Sequence, residues 1–136
     1  MHANNVLPIK RIVPEQGVLL ESKNSCSNRE GRFDFLVLTQ QGKTIGFEVL
    51  SRPSHGKLKE KLSYAREVDE FVFVLPSDAL AFYRKTKTKP FKQLARDKFL
   101  DNDFCDAKIK AWLLDLKTAS FEAKGEICKL FNVKKQ

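Results

Sequence analysis

Histidine and cysteine are scarce in this chain of 136 residues, and their scarcity excludes most kinds of metal site. The two histidines, His2 and His55, are too few and too far apart to complete a His/Cys site. The three cysteines, Cys26, Cys105 and Cys128, form no close pair, which matches neither a disulfide framework nor a zinc-ligand spacing. We therefore expect free thiols, and we expect any bound metal to have oxygen ligands.

Long apolar runs are also missing. The longest of them, residues 33–38 and 71–75, are far shorter than the roughly 20 residues that a membrane-spanning helix needs. The first residues carry no basic patch followed by an apolar core, so nothing in them indicates secretion. The sequence therefore predicts an intracellular, cytoplasmic protein without a membrane partner.

The chain does have basic charge and enough apolar mass for a core. Hydrophobic residues make up 42% of it, including eleven phenylalanines, which predicts a single domain over residues 1–136. Lysine and arginine outnumber the acids 25 to 17, and the resulting charge of +8 attracts phosphate backbones. A lysine-rich solvated surface would give the same total, so the distribution of the charges matters more than their sum.

The residue patterns predict a mixed α/β order. Residues 17–21 favour a strand, residues 22–31 favour a loop, and residues 33–39 and 44–51 favour a β-hairpin that turns near Gly42. The remaining predicted elements are an amphipathic basic helix over 57–68, buried strands over 71–75 and 109–116, and helices over 78–83, 90–100 and 121–131.

Two features of this order predict a central mixed β-sheet with flanking helices. The succession strand, helix, strand over residues 44–75 is a βαβ unit, which makes its two strands parallel. In the hairpin, period-two alternation predicts that Phe33 shares a face with Phe35, and Asp34 with Leu36. Both faces are largely apolar, so we expect the hairpin to lie in the middle of the sheet.

The most informative residues for chemistry are two acids on the hairpin. Asp34 opens the first strand and Glu48 lies near the middle of the second, and cross-strand neighbours are about 5 Å apart. Two carboxylates, with the Val49 carbonyl as a further ligand, suit Mg²⁺ or Mn²⁺. Such an ion polarises a phosphodiester and activates water, which is the chemistry of metal-dependent nucleases.

At these residues the sequence resembles the PD-(D/E)XK nuclease superfamily, in which an Asp opens one hairpin strand and Glu-X-Lys lies on the next. The resemblance covers about residues 17–76 and rests on Gly31-Arg-Phe-Asp34, on Phe47-Glu48-Val49, on the basic helix and on the strand that ends at Pro76. Small archaeal Holliday-junction resolvases are similar in size and element order. The resemblance implies a restriction-endonuclease-like fold, a Mg²⁺- or Mn²⁺-dependent endonuclease that acts on DNA, and the possibility of a homodimer.

The chain departs from that motif at the lysine. Leu50 occupies its position, so a cation must come from elsewhere if the charge of the transition state is to be stabilised. Lys57 and Lys61 border the apolar stripe of the predicted 57–68 helix, and relocation of the lysine to this helix occurs in the superfamily. Lys61 is the first candidate. The alternative for either lysine is that it is only a solvent-facing charge on an amphipathic helix.

A basic stretch further along the chain predicts contacts with backbone phosphates. The candidate residues for nucleic-acid binding are Arg52, Arg84, Lys85, Lys87, Lys89 and Lys92. Tyr83 and Phe91 lie among them. A basic loop that leads into a solvated helix would have the same composition.

Three functions remain open at this point. The first is the nuclease. The second is a nuclease-like module that has lost catalysis and binds nucleic acid or a protein of the replication or transcription machinery, which Leu50 favours. The third is a purely structural role for the acids, with Asp34 paired to Arg32 or Arg29.

Overall fold

The computed structural model of the protein describes residues 18–22 and 33–133. Within them the strands are β1 Val18–Ser22, β2 Phe35–Leu38, β3 Thr44–Val49, β4 Glu70–Pro76, β5 Leu80–Arg84, β6 Lys87–Pro90, β7 Ile109–Asp115 and β8 Ser120–Glu126. The helices are α1 His55–Leu62, α2 Phe91–Leu94 and α3 Ile127–Leu130, with a π-helical turn at Ala95–Phe99 and 3₁₀ turns at Ala65–Glu67 and Asn102–Phe104. The predicted loop 22–31 lies almost entirely outside the described residues.

The described strands form a mixed six-stranded sheet and a separate two-stranded hairpin. The sheet order is β1-β2-β3-β4-β7-β8, in which β3, β4 and β7 are parallel and the outer pairings are antiparallel. β5 and β6 pair only with each other. The protein is thus a mixed α/β structure with a central mixed sheet, as the residue patterns predict.

The β2–β3 hairpin and the following crossover are confirmed. The hairpin turn closes through the Thr39 N–H, which donates to the Lys43 carbonyl at 2.8 Å, and Gly42 adopts the positive φ of +84°. After β3 the chain enters α1, where the Ser54 hydroxyl caps the first turn by accepting from the Lys57 N–H. β4 then returns parallel to β3.

The sheet has an apolar cluster on each face. The described helices all contribute to one of them, through side chains such as Leu58, Leu94 and Ile127. The other cluster contains Phe47 and Trp112, whose rings meet edge to face at 5.0 Å between centroids. Both faces of the central strands are therefore buried, which explains their nearly continuous apolar sequence.

One predicted face assignment is wrong. Phe33 packs with the helix-side cluster, whereas Phe35 belongs to the opposite one, because the backbone bends at Asp34 before β2 begins. The Phe33 ring lies directly against Gly46, where an added Cβ would come within 2.5 Å of the ring. Gly46 is therefore required by the close approach of a neighbouring ring.

Two predicted helices are strands. Residues 78–83 include most of β5. The Phe82 N–H donates to the Pro53 carbonyl at 2.9 Å and the strand pairs with β6, and these contacts outweigh the local signal for a helix N-cap. Residues 121–131 are mainly β8, whose burial alternates with period two, and only Ile127–Leu130 are α-helical. The predicted basic loop before residue 90 is accordingly the β5–β6 hairpin.

Other helix bounds are shorter than predicted. The helix expected over 57–68 begins at His55 and ends at Leu62, followed by the 3₁₀ turn Ala65–Glu67. The helix expected over 90–100 is a single α-helical turn that continues as a π-helical one. The strands predicted over 17–21, 71–75 and 109–116 are confirmed to within two residues at each end.

The prediction of free thiols is wrong for two of the three cysteines. Cys105 and Cys128 form a disulfide that ties the segment after Asn102–Phe104 to α3. They are 23 positions apart in the sequence, and tertiary folding brings their Cα atoms to 5.3 Å. Cys26 lies outside the described residues.

In the described part of the chain, no helix has both the length and the apolar character to cross a membrane.

Candidate metal and phosphodiester site

Asp34 immediately precedes β2 and is fixed against the last residues of β3. Its N–H donates to the Phe47 carbonyl at 2.9 Å, and its Oδ2 accepts from the Val49 N–H at 2.7 Å. The register pairs Phe35 with Phe47, so one step further the chain sets Asp34 beside Glu48. The carboxylate, only 4% exposed, extends the hydrogen bonding between the two strands by one residue.

Glu48 is the second buried acid and is only 1% exposed. It lies in β3 between Phe47 and Val49, which both point into the cluster on the far face of the sheet. Its own side chain therefore points to the helix side, in common with Leu50. Between residues 33 and 133 no other acid is buried, and Asp34, immediately before β2, lies across from Glu48 in β3.

Lys61 completes the arrangement. Its Nζ lies 3.5 Å from Glu48 Oε1, and its side chain is 15% exposed. An ammonium at this distance offsets much of the cost of burying the glutamate charge. The first candidate from the sequence is thus the lysine that the fold brings to Glu48.

Lys61 reaches Glu48 because of the way α1 packs. Leu58, three residues earlier, is fully buried against the sheet, and residues three apart share a helix face. The Lys61 ammonium also lies 5.7 Å from the centre of the Tyr64 ring, which in turn contacts the Phe33 ring at 6.3 Å. Aromatic side chains therefore flank the ion pair, a role for Tyr64 that the sequence analysis missed.

The other candidates for this site take different places. Lys57 is exposed and makes no ion pair with an acid in the described residues. Leu50 is buried in the helix-side core, where a lysine would find apolar neighbours. Val49 contributes its N–H to Asp34 and packs its side chain into the opposite core.

The donor atoms available here are oxygens. No cluster of three or more His, Cys, Asp or Glu side chains suited to a metal ion occurs in the described residues. Asp34 and Glu48 thus provide two carboxylates. Proteins often bind Mg²⁺ through one or two carboxylates, and water and substrate phosphate complete its coordination. In charge and in kind of donor atom, the pair fits a hard divalent cation.

The predicted phosphate-binding residues are divided among three elements. Arg52 is exposed in the loop between β3 and α1. The β5–β6 hairpin carries Arg84, Lys85, Lys87 and Lys89, and Lys92 follows in α2. All are exposed except Lys89, which is partly buried with its ammonium 4.8 Å from the centre of the Tyr83 ring.

No protein-family model, curated protein or solved structure matches the chain.

A second charged cluster, absent from the sequence analysis, lies on the other side of α1. Lys59 Nζ is 2.7 Å from both Asp101 Oδ2 and Asp103 Oδ2, and these hydrogen bonds raise the pKa of Lys59. Burial opposes ionisation of Asp101, but the bonds from Lys59 and from the Asp103 N–H outweigh it and lower the pKa of Asp101. The cluster anchors α1 to the segment that precedes the disulfide.

Proposed function

We propose that this chain is a Mg²⁺- or Mn²⁺-dependent nuclease of the PD-(D/E)XK type, with a restriction-endonuclease-like fold, which hydrolyses phosphodiester bonds in DNA. The observation that carries the proposal is the ion pair between Glu48 and Lys61 beside Asp34. Two buried acids, one immediately before β2 and one in β3, together with a lysine from the next helix, supply the three charges that the superfamily's motif requires.

Each residue has a role in this proposal. Asp34 and Glu48 would hold the cation, and the Val49 carbonyl would be a further donor. Bound Mg²⁺ or Mn²⁺ would supply Lewis acidity toward the phosphodiester and favour deprotonation of water near neutral pH. Lys61 supplies a positive charge beside Glu48 that stabilises the negative charge developing on the phosphate oxygens, which Leu50 cannot do.

The basic hairpin supports DNA as the substrate. Its four cations are of the kind that contact backbone phosphates, as are those of Arg52 and Lys92, and such contacts supply most non-specific affinity. The hairpin is connected to the elements that carry the site, because β5 is hydrogen-bonded to the loop that leads from β3 to α1.

Nicking of supercoiled plasmid and cutting of a four-way junction in Mg²⁺ or Mn²⁺ test the proposal. We expect cutting by the wild-type protein, its loss in Glu48→Gln and Lys61→Met, and its retention in Lys57→Met, a matched control on the same helix. Retained cutting in Glu48→Gln would contradict the assignment.

A second function is favoured by one contact. Asp34 Oδ2 already accepts the Val49 N–H, so this acid has a structural task, and Leu50 replaces the motif's lysine. A nuclease-like module that binds DNA or a protein of the replication or transcription machinery would keep such a site without cutting. Salt-sensitive DNA binding without metal-dependent cutting would favour this module. A protein that neither binds nor cuts DNA would exclude a DNA-binding module as well as the nuclease.

A further inference from the structure

A groove of about 530 Å³ lies between the start of α1 and the β5–β6 hairpin. Its volume is within the range of about 300–1,000 Å³ that is typical of sites for small organic ligands. The residues that give it chemical character are His55, Phe82, Tyr83, Arg84, Lys85 and Phe99. None of the described residues that line it is acidic.

The walls of the groove are held together by backbone contacts. The Phe82 N–H donates to the Pro53 carbonyl at 2.9 Å, and Ser54 and Phe82 form an isolated parallel bridge. At the other end of the hairpin, the Phe91 N–H donates to the Ala79 carbonyl at 2.8 Å. The groove is therefore built into the fold, because both of its sides are fixed to the same loop.

Its lining combines flat rings with cations. The His55 and Phe99 rings meet edge to face with centroids 5.7 Å apart, and the Tyr83 ring is 37% exposed. Arg84 and Lys85 are exposed at the hairpin turn. Ring faces accept bases by stacking, and guanidinium and ammonium groups accept phosphates, so the pair of features matches a nucleotide.

The groove and the proposed catalytic site lie along the same helix, α1, but on different faces of it. His55 and Lys61 are separated by six residues of one helix, which is about 9 Å along its axis. A strand with one nucleotide in the groove would have to pass partly around α1 for a neighbouring phosphodiester to reach Glu48. Because a paired and stacked base cannot enter a groove between protein walls, the occupant must be unpaired.

We propose that this groove binds one unpaired nucleotide, with its base against the aromatic side chains and its phosphate at Arg84 and Lys85, so that the preferred nucleic acid is DNA with a single-stranded segment. The placement of the cut rests on the proposed nuclease function. The binding itself does not depend on it.

Fluorescence anisotropy without divalent metal tests the binding. The probes are a labelled oligomer of ten thymidine nucleotides and an abasic oligomer of equal length and charge. We expect the wild-type protein to bind the thymidine oligomer at least about fivefold more tightly, since stacking of one base accounts for such a factor. Tyr83→Ala and His55→Ala should each lower the preference, and Tyr83→Phe should keep it.

Two further variants serve as controls. Leu80→Ala removes a 43%-exposed side chain from the same strand, outside the groove, and should leave both affinities unchanged. Arg84→Ala should weaken binding of both oligomers to the same extent, because phosphate contacts do not read the base. Urea denaturation of each variant verifies that it is folded.

The outcomes separate this proposal from the proposed function. Equal affinity of the wild-type protein for the two oligomers, or an equal loss for both in Tyr83→Ala, would overturn the base-binding groove. Base-dependent binding in a protein that never cuts would leave the groove in place and refute the nuclease. Cutting by a protein that binds the two oligomers equally would refute the groove and leave the nuclease in place.

Discussion

The carboxylate of Asp34 accepts the Val49 N–H at 2.7 Å, next to the glutamate that Lys61 neutralises. Through this hydrogen bond Asp34 stabilises the backbone of β3, in addition to its proposed role as a metal ligand. The two tasks depend on different properties of the side chain, because the hydrogen bond needs an acceptor oxygen and the metal needs negative charge.

Asp34→Asn and Asp34→Ala should therefore differ. Asparagine keeps an acceptor for the Val49 N–H, so we expect stability near that of the wild-type protein together with a large loss of Mg²⁺-dependent cutting. Alanine leaves a buried N–H without its acceptor, which costs about 1–3 kcal/mol in unfolding free energy. Urea denaturation and plasmid nicking measure the two effects, and equal stability of both variants would contradict the structural task.

Lys61→Met should destabilise the protein by about 1–3 kcal/mol, because it removes the ammonium beside a carboxylate that is 1% exposed. The double variant with Glu48→Gln should recover part of that loss. The control Lys57→Met, at an exposed position of the same helix, should stay within about 0.5 kcal/mol of the wild-type protein. Equal stability of Lys61→Met and Lys57→Met in urea would show that the ion pair adds nothing.

Gly46→Ala should cost about 1–3 kcal/mol through overpacking. The added Cβ would meet the Phe33 ring, which is itself confined by Tyr64 and Phe71 at centroid distances of 6.3 and 6.0 Å. Gly56→Ala has open space around its added Cβ and serves as the control, with unchanged or slightly higher stability. The comparison requires only chemical denaturation, and a tolerated Gly46→Ala would refute the close approach.

Stability should depend on pH through Lys59 and Asp101. The lowered pKa of Asp101 gives stability above its usual value of 3.8 that is lost as the pH falls below it. The raised pKa of Lys59 gives stability below 10.5 that is lost as the pH rises above it. Lys59→Met should thus lower the urea midpoint most between about pH 4 and pH 10 and least outside that window. If the midpoints of the wild-type protein and the variant differ by the same amount at every pH, charge is not the cause.

Reduction of the Cys105–Cys128 disulfide should lower the unfolding free energy by about 3 kcal/mol, the entropic estimate for a loop of this length. Denaturation with and without dithiothreitol measures it. Cys105→Ser should be as unstable as the reduced wild-type protein and insensitive to the reductant. Alkylation of both cysteines in the unreduced, denatured chain would show that the bond is absent.

Local patterns were sufficient for five of the six described strands of the central sheet. The apolar runs of β3 and β4, with the amphipathic α1 between them, predicted a parallel crossover because burial on both faces leaves a continuous apolar signature. The same patterns singled out Asp34 and Glu48, since charged residues beside apolar strand positions need partners. Lys61 became a candidate through the resemblance to a nuclease superfamily. The period-two alternation of β8 was also present in the sequence, but the helical pattern of the residues that follow it obscured it.

Tertiary structure alone decided the remainder. The bend at Asp34 that moves Phe33 to the helix side, the strand character of β5 and the Cys105–Cys128 bond all depend on partners distant in sequence. The sequence by itself determined which residues must be buried and which charges must be compensated. Which partner meets each of them depended on long-range packing, because no pattern of adjacent residues encodes the distance between segments that are remote in the chain.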